Sequence, residues 1–267
     1  MKVQVLASVM HENPEELVKR MHLQSDAVVI NQCDVEGYQE ISCVGGKVEF
    51  YSCTERGVGR SRNAAIAKAT GDICLFSDSD IVYEDGYAEK IVREFEQNPK
   101  ADMILFHIEV DEERRTYHIT DRKRVRWYNC GRYGAVSFAL RREVLQSSGV
   151  TFSLLFGGGA KYSNGEDSLF LKELMDKGYR VYTAPVTIGR EVANGSSWFA
   201  GYNEKFFVDR GVLYRFLYGV FASLLSLRFL IAHKDKMCNQ VALMQAYRWM
   251  KRGIKEGKDL QTKGITE

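Results

Sequence analysis

Along about the first 190 residues, short apolar runs alternate with amphipathic stretches, and the two periods predict the elements. Residues 3–9 (VQVLASV) form an apolar run that reads as a buried strand. Asn13-Pro14-Glu15-Glu16 then opens a helix, with Asn in the capping position, Pro early and acids in the first turn. Residues 27–30 (AVVI) and 47–52 (KVEFYS) predict two further strands. Residues 57–70 (GVGRSRNAAIAKAT) turn helical on their alanines, and Gly71-Asp72 ends that helix before the apolar run ICLF. A helix follows over about 85–97, with Tyr87, Ile91, Val92 and Phe95 at helical spacing, then a strand over 103–110. Residues 136–145 start as a strand and turn helical, and a helix over about 167–177 is followed by the extended run YRVYTAPVTIG. Strands that alternate with helices in this way predict a mostly parallel sheet covered on both faces.

Beyond residue 200 the pattern changes. From Gly211 the chain reads as apolar helix, GVLYRFLYGVFASLLSLRFLIAH. Arg215 and Arg228 bracket about a dozen apolar residues, fewer than the ~20 of a spanning helix. A packed helix is the first reading, and a helix lying on a membrane surface is the alternative. The tail from Lys251 is charged and is expected to fray.

The 267-residue length allows one large domain or two small ones. A formal charge of +2 gives no argument for nucleic acid as a partner. The distribution is less even: Arg114, Arg115, Arg122, Lys123, Arg124 and Arg126 crowd one segment. That run reads either as a solvated face or as a surface attracted to phosphates, including those of anionic lipid. The six cysteines (33, 43, 53, 74, 130 and 238) form no CxxC pair, and the five histidines complete no zinc pattern. With no signal-peptide pattern at the start, a reducing, cytoplasmic compartment is expected.

Candidate chemistry enters at LFSDSDIVY, residues 75–83, where an apolar strand runs out into Asp78-Ser79-Asp80. Ligands of α/β sheets collect outside the carboxyl ends of the strands, and carboxylates at i and i+2 of an extended segment share a face. A plain polar turn is the competing reading. A second acidic pair, Glu166-Asp167, opens a helix behind the glycine-rich approach FGGGAKYSNG. Those glycines imply a mobile or tightly turned loop. GVGRSRN lacks the third glycine of a dinucleotide fingerprint, which argues against an oxidoreductase.

Taken in order, GRSRNAAIAKATGDICLFSDSD and, some ninety residues on, NGEDSLFLKEL resemble the family 2 glycosyltransferases, inverting enzymes that use nucleotide-sugars and have the GT-A fold. The resemblance covers residues 1 to about 190. It implies an α/β, Rossmann-like GT-A domain: a mixed, mostly parallel central sheet flanked by helices. Residues 1–105 would be its nucleotide-sugar-binding half, 106–200 its acceptor-binding and catalytic half, and 201–267 a C-terminal helical extension. Asp80 would hold a divalent metal, Mn2+ or Mg2+, and Asp78 the ribose or a metal-bound water, with Ser79 between them in the donor site. Asp167 would be the base that deprotonates the acceptor hydroxyl, and Glu166 would position the acceptor. Arg62, with help from Arg60, would face the nucleotide base or the diphosphate beside Asn63.

For the nucleotide base the family uses residues after the first two strands, here Ser8 and the run Asn31-Gln32-Cys33-Asp34. Asn31-Gln32 replaces the usual Asp-Asp, and amides can read an imide edge. VTIGREVANG offers Arg190 where many relatives place a metal-binding histidine, so Arg190 is a candidate contact to the leaving group. The implied partners are a nucleotide-sugar, with UDP as the first choice, and a glycan or lipid-linked acceptor. No nucleic acid is expected, and peripheral membrane contact is the one further partner considered. The alternatives are a nucleotidyltransferase and a catalytically silent nucleotide-binding or scaffold module of the same fold.

Overall fold

The computed structural model describes residues 1–110, 117–192, 201–237 and 240–265. Arg114, Arg115, Cys238 and the Ala-Asn-Gly end of VTIGREVANG lie outside the described residues. The chain begins with β1 (Val3–Met10), α1 (Pro14–Arg20), β2 (Asp26–Gln32), β3 (Gly37–Cys43) and β4 (Gly46–Cys53). It continues through α2 (Val58–Lys68), β5 (Ile73–Asp78), β6 (Ile81–Tyr83), α3 (Tyr87–Gln97) and β7 (Met103–Glu109). After a long connection come β8 (Phe138–Arg141), α4 (Arg142–Ser148), α5 (Glu166–Asp176) and β9 (Val181–Glu191). Four helices close the chain: α6 (Glu204–Tyr218), α7 (Ala222–Ala232), the short α8 (Lys234–Met237) and α9 (Leu243–Thr262).

The nine strands form one sheet in the order β3-β4-β2-β1-β5-β8-β7-β9-β6. Pairing is parallel across β4-β2-β1-β5 and again between β7 and β9, and antiparallel where β3, β8 and β6 join. Alternation along β1 shows why its sequence is mostly apolar, with Gln4 and Ser8 its two polar residues. Leu6 packs with Val28, Phe76, Phe138 and Phe170 on one side, while Val5, Ala7 and Val9 pack with Leu17, Ile91 and Phe95 on the other. Helices cover both faces, so β1 has no solvent-facing side, and its buried Gln4 and Ser8 are hydrogen-bonded, to the Thr70 and Gly71 amides and to Ser61. The Asn13 cap forms as expected, its side-chain oxygen accepting from the Glu15 and Glu16 amides at 3.1 and 3.2 Å.

Two local expectations need correction. Residues 37–43, which carry no apolar run, form the edge strand β3, most of whose residues are exposed. The tail does not fray at Lys251: α9 runs unbroken to Thr262 and lies against α6. Glycines make that approach possible. A Cβ on Gly211 would sit 2.2 Å from the Met250 carbonyl oxygen, and one on Gly253 would sit 2.1 Å from that of Val208. The two backbones thus touch where neither residue has a side chain. Phe207, Leu230, Met237, Ala246 and Met250 form a separate small core among these helices.

Residues 204–232 are long and apolar enough to cross a membrane by length and composition alone, their most apolar 18-residue window having a mean hydropathy of 1.5, above the reading of a dozen apolar residues. The helix is broken, however. Gly219 takes φ +53 and ψ −119, which separates α6 from α7, and the buried side of α6 packs on α5 and α9.

Candidate active site

The parallel register brings three strand ends to one edge of the sheet. Ser8 of β1 is level with Ile30 of β2 and with Asp78 of β5, and Val9 is level with Asn31. β5 ends at Asp78, the chain turns through Ser79 and Asp80, and β6 begins at Ile81. Asp78, Ser79 and Asp80 are all half-buried at this turn. The Asp80 carbonyl accepts the Val192 amide at 2.8 Å, which ties the turn to the end of β9. Arg190 is exposed on β9, level with Val82 in β6 and so two residues along from Asp80.

Arg62 organises the centre of this edge. It lies in the first turns of α2 and is only 4% exposed. One amino group reaches both Asp78 oxygens at 3.2 Å, and the other meets Asp167 at 2.6 Å and Glu166 at 3.4 Å. The Phe152 ring lies 5.2 Å from its guanidinium carbon. Its Nε is buried with no hydrogen-bond partner among the described residues. Asp78 at the end of β5 and the Glu166-Asp167 pair, some ninety residues apart in sequence, are thus two arms of one ion cluster.

The second arm is held as closely. Asp167 accepts the Ala135 amide through its other oxygen at 2.9 Å. Glu166 accepts the Gly165 amide at 3.0 Å. Gly165 has φ +127, and a Cβ there would sit 2.5 Å from Leu213 of α6, so the helical extension packs directly on the start of α5. Ser163 adds a tie, donating its amide and hydroxyl to Asp209 of α6 at 3.0 and 2.7 Å. The glycine-rich loop is tightly turned. Gly157 takes φ +101 and donates to the Tyr162 carbonyl at 2.9 Å, while Gly158 accepts the Val58 amide of α2 at 3.0 Å.

Three carboxylates around one guanidinium leave an excess of negative charge in a dry place, and the proton affinities respond. Burial, reinforced by Asp167 and opposed by Arg62, pushes the Glu166 carboxyl up to about 7. Burial also raises Asp167 above the ordinary aspartate value, with Arg62 and the Ala135 amide pulling the other way. Burial alone would favour loss of the Arg62 proton, but Asp167, Asp78 and Glu166 together hold its pKa above the usual arginine value. The acidic pair therefore holds a proton to higher pH than free carboxylates do.

The remaining sequence candidates lie elsewhere around the edge. Ser8 bonds the Ser61 hydroxyl at 2.7 Å, joining β1 to α2. Asn31 accepts the Glu12 amide at 3.0 Å and Gln32 accepts the Gly57 amide at 2.7 Å, so both amides brace loops. Asn63 is bound to the Phe152 backbone in both directions, at 2.9 and 2.7 Å. Asp34 and Arg60 are exposed and pair with Arg56 at 2.6 Å and Glu55 at 3.3 Å. The structure thus gathers Asp78, Arg62, Glu166 and Asp167, leaves Asp80 and Arg190 beside them, and sets Asp34 and Arg60 apart. Sequence reasoning missed Ala135, which nothing in its surroundings marks, and missed the pairing of Arg62 with acids of three different segments.

The family model for glycosyl transferase family 2 matches residues 8–149, more than half of the chain. The chain belongs to glycosyl transferase family 2. The match contains β5 and the Asp78-Ser79-Asp80 turn and ends before Glu166. No curated protein matches the chain by sequence. Solved structures similar in fold include S. aureus TarS 1-349 in complex with UDP, at a TM-score of 0.63 and 15% identity, covering 93% of this chain and 78% of that one. The same protein in complex with UDP-GlcNAc gives 0.62 and 14%, covering 94% and 79%. The mannosyltransferase PcManGT from Pyrobaculum calidifontis, in complex with GDP-Man and Mn2+, gives 0.53 and 16%, covering 97% and 75%. These likenesses establish the GT-A fold for this family member.

Proposed function

We propose that this family 2 chain transfers one sugar from a nucleotide-sugar, a UDP-sugar as first choice, to a hydroxyl of a glycan or lipid-linked acceptor, with inversion at the anomeric carbon. The observation that carries the reading is the Arg62 cluster, in which one guanidinium holds Asp78 and the Glu166-Asp167 pair together. Donor chemistry and base chemistry need to lie within one substrate's length, and this contact supports that placement. UDP is favoured by the fold's likeness to a protein solved with UDP and UDP-GlcNAc.

In this reading the acceptor hydroxyl approaches Asp167, which takes its proton. The freed oxygen attacks the anomeric carbon from the face opposite the diphosphate, the carbon–oxygen bond to the diphosphate breaks, and nucleoside diphosphate leaves. Glu166, its carboxyl raised to about 7, positions the acceptor and in its protonated form offers it a hydrogen bond. Arg62 keeps Asp167 aimed and favours its charged form.

A divalent cation fits the residues at the turn. No group of three metal-binding side chains occurs among the described residues, but Mg2+ and its like are commonly held by one or two carboxylates plus substrate phosphates and water. Asp80, with Asp78 beside it, would hold Mn2+ or Mg2+ in that manner, and the cation would neutralise charge on the leaving diphosphate. Arg190, exposed near the same turn, is the candidate protein cation for that task.

The test is transfer or slow hydrolysis of UDP-sugars with Mn2+ or Mg2+, alongside UDP binding read by thermal stabilisation. Asp167→Asn should keep UDP binding and lose transfer, and Asp80→Ala should lose the cation-supported part of UDP binding. An active Asp167→Asn protein would overturn the base assignment. A chain that binds no nucleoside diphosphate with any cation would leave the silent scaffold standing instead.

A further inference from the structure

The exposed side of α7, with the turn that leads into it, carries an apolar stripe. Val220, Phe221, Leu224, Leu227 and Ile231 recur at helical spacing and are 83, 54, 65, 44 and 58% exposed. The stripe continues onto a different part of the chain. The Trp127 ring, itself 45% exposed, lies 6.1 Å from that of Phe221 and 6.3 Å from that of Tyr218. A stripe of this length, joined by a tryptophan from a separate segment, is larger than the scattered apolar residues of an ordinary surface.

Cations surround it. Arg126 is next to Trp127 and exposed, Arg228 projects from α7, and Lys251 of α9 donates to Ser223 at the start of α7. None of the three has an ion-pair partner among the described residues. From Arg122 through Gly134 and from Gly219 through Lys234 there is no acidic residue. A second copy of this chain meeting the same face around a two-fold axis would set these cations against each other. An anionic lipid surface complements both parts: apolar side chains and tryptophan enter the interface, and arginine and lysine meet the headgroups.

We infer that the α7 stripe, with Trp127 and the cations around it, docks the protein on an anionic bilayer surface. The broken helix at Gly219 lets α7 lie along such a surface while α6 stays packed on the domain. The docking face also adjoins the site. The segment that carries Trp127 leads to Ala135, whose amide binds Asp167, and a Cβ on Gly131 within it would lie 3.0 Å from the Tyr218 hydroxyl. Docking therefore presents the Asp167 side to acceptors carried in lipid, a consequence that rests on the function proposed above.

The experiment is co-sedimentation of the full chain with vesicles of phosphatidylcholine alone and of phosphatidylcholine with phosphatidylglycerol, at low and high salt. Binding should require phosphatidylglycerol and weaken with salt. Arg126→Gln with Lys251→Gln should lower the partition coefficient by about thirtyfold, from the usual contribution of a cation near an anionic surface. Leu224→Ser with Leu227→Ser and Ile231→Ser should abolish binding while leaving thermal unfolding and UDP binding unchanged. Absence of binding to the anionic vesicles at low salt would overturn the inference, as would binding that neither set of substitutions alters. A dimer in solution that the serine substitutions dissociate would also overturn it, in favour of a second copy. Vesicle binding does not involve transfer, so its failure leaves the proposed reaction untouched, and UDP binding tests that reaction separately.

Discussion

Replacing Glu166 with Gln isolates the pH-dependent part of the Arg62 cluster. In the folded chain burial, then Asp167, raise the Glu166 carboxyl from 4.5 to about 7 against the pull of Arg62. The unfolded chain keeps the ordinary value. As pH rises from about 4.5 to about 7, the native state therefore holds a proton that the unfolded chain has released, so the site's contribution to stability falls through that window. Above it both states are ionised and the loss is constant, at about 3 kcal/mol for a shift of this size. Glutamine has the shape of the protonated acid. Its oxygen can accept the Gly165 amide, now 3.0 Å from Oε2, and it does not titrate.

Urea unfolding of the two proteins across pH 5 to 8 gives the comparison. The variant's advantage should be below about 1 kcal/mol at pH 5, about 2 at pH 6 and about 3 from pH 7 upward. Because Glu166 and Asp167 share the proton, the midpoint of that curve belongs to the pair. A variant no more stable than wild type at pH 8, or an advantage that shrinks as pH rises, would refute the claim that burial outweighs Arg62 at Glu166.

Arg62→Ala leaves three carboxylates without their counter-charge and should cost about 3–5 kcal/mol in urea unfolding; a near-neutral result would mean the cluster relaxes into water. Transfer needs Asp167 ionised, and its raised pKa predicts that activity falls on acidification earlier than an ordinary aspartate would allow. A pH–rate profile with no acid limb above the usual aspartate range would contradict that. Gly253→Ala puts a methyl group 2.1 Å from the Val208 carbonyl oxygen, so α6 and α9 must part, and a loss of about 1–3 kcal/mol is expected by thermal unfolding. Asn13→Ala removes a cap that accepts two amides and should cost about 1 kcal/mol.

What was legible in the sequence was local. Strands buried on both faces announce themselves as near-continuous apolar runs, which is why β1, β2 and β5 are legible and why Asp78 and Asp80 fall at the sheet edge. β3 was missed because an exposed edge strand has no apolar side to show. The continuation of α9 was missed because the tail was read by its charge alone, whereas Gly253 and Gly257 let α6 come close and hold the helix in place. The site was legible in its parts and not in its wiring. Arg62, Asp78 and the Glu166-Asp167 pair were each singled out. That one guanidinium serves all of them depends on contacts between residues about a hundred positions apart, and no sequence period reports such contacts.

That wiring also bears on what Arg62 does in the proposed reaction. The resemblance assigns it to the nucleotide base or the diphosphate. In the structure both of its amino groups are already engaged by carboxylates, and only Nε lacks a partner. Drawing it wholly onto a diphosphate would leave Asp78, Glu166 and Asp167 facing one another unpaired in a buried place, at a cost of several kcal/mol. A dianionic diphosphate arriving with a divalent cation changes the net charge of the site very little, so the donor has no electrostatic need to take Arg62 from its acids. The more economical arrangement keeps the guanidinium on Asp167 throughout and lends the donor at most its free Nε–H. Arg62 is then a positioning residue for the base, and Arg62→Lys distinguishes the roles. Loss of the planar fork should lower kcat and shift the acid limb of the pH profile while KM for the donor moves little. A rise in donor KM at unchanged kcat would instead return Arg62 to the diphosphate.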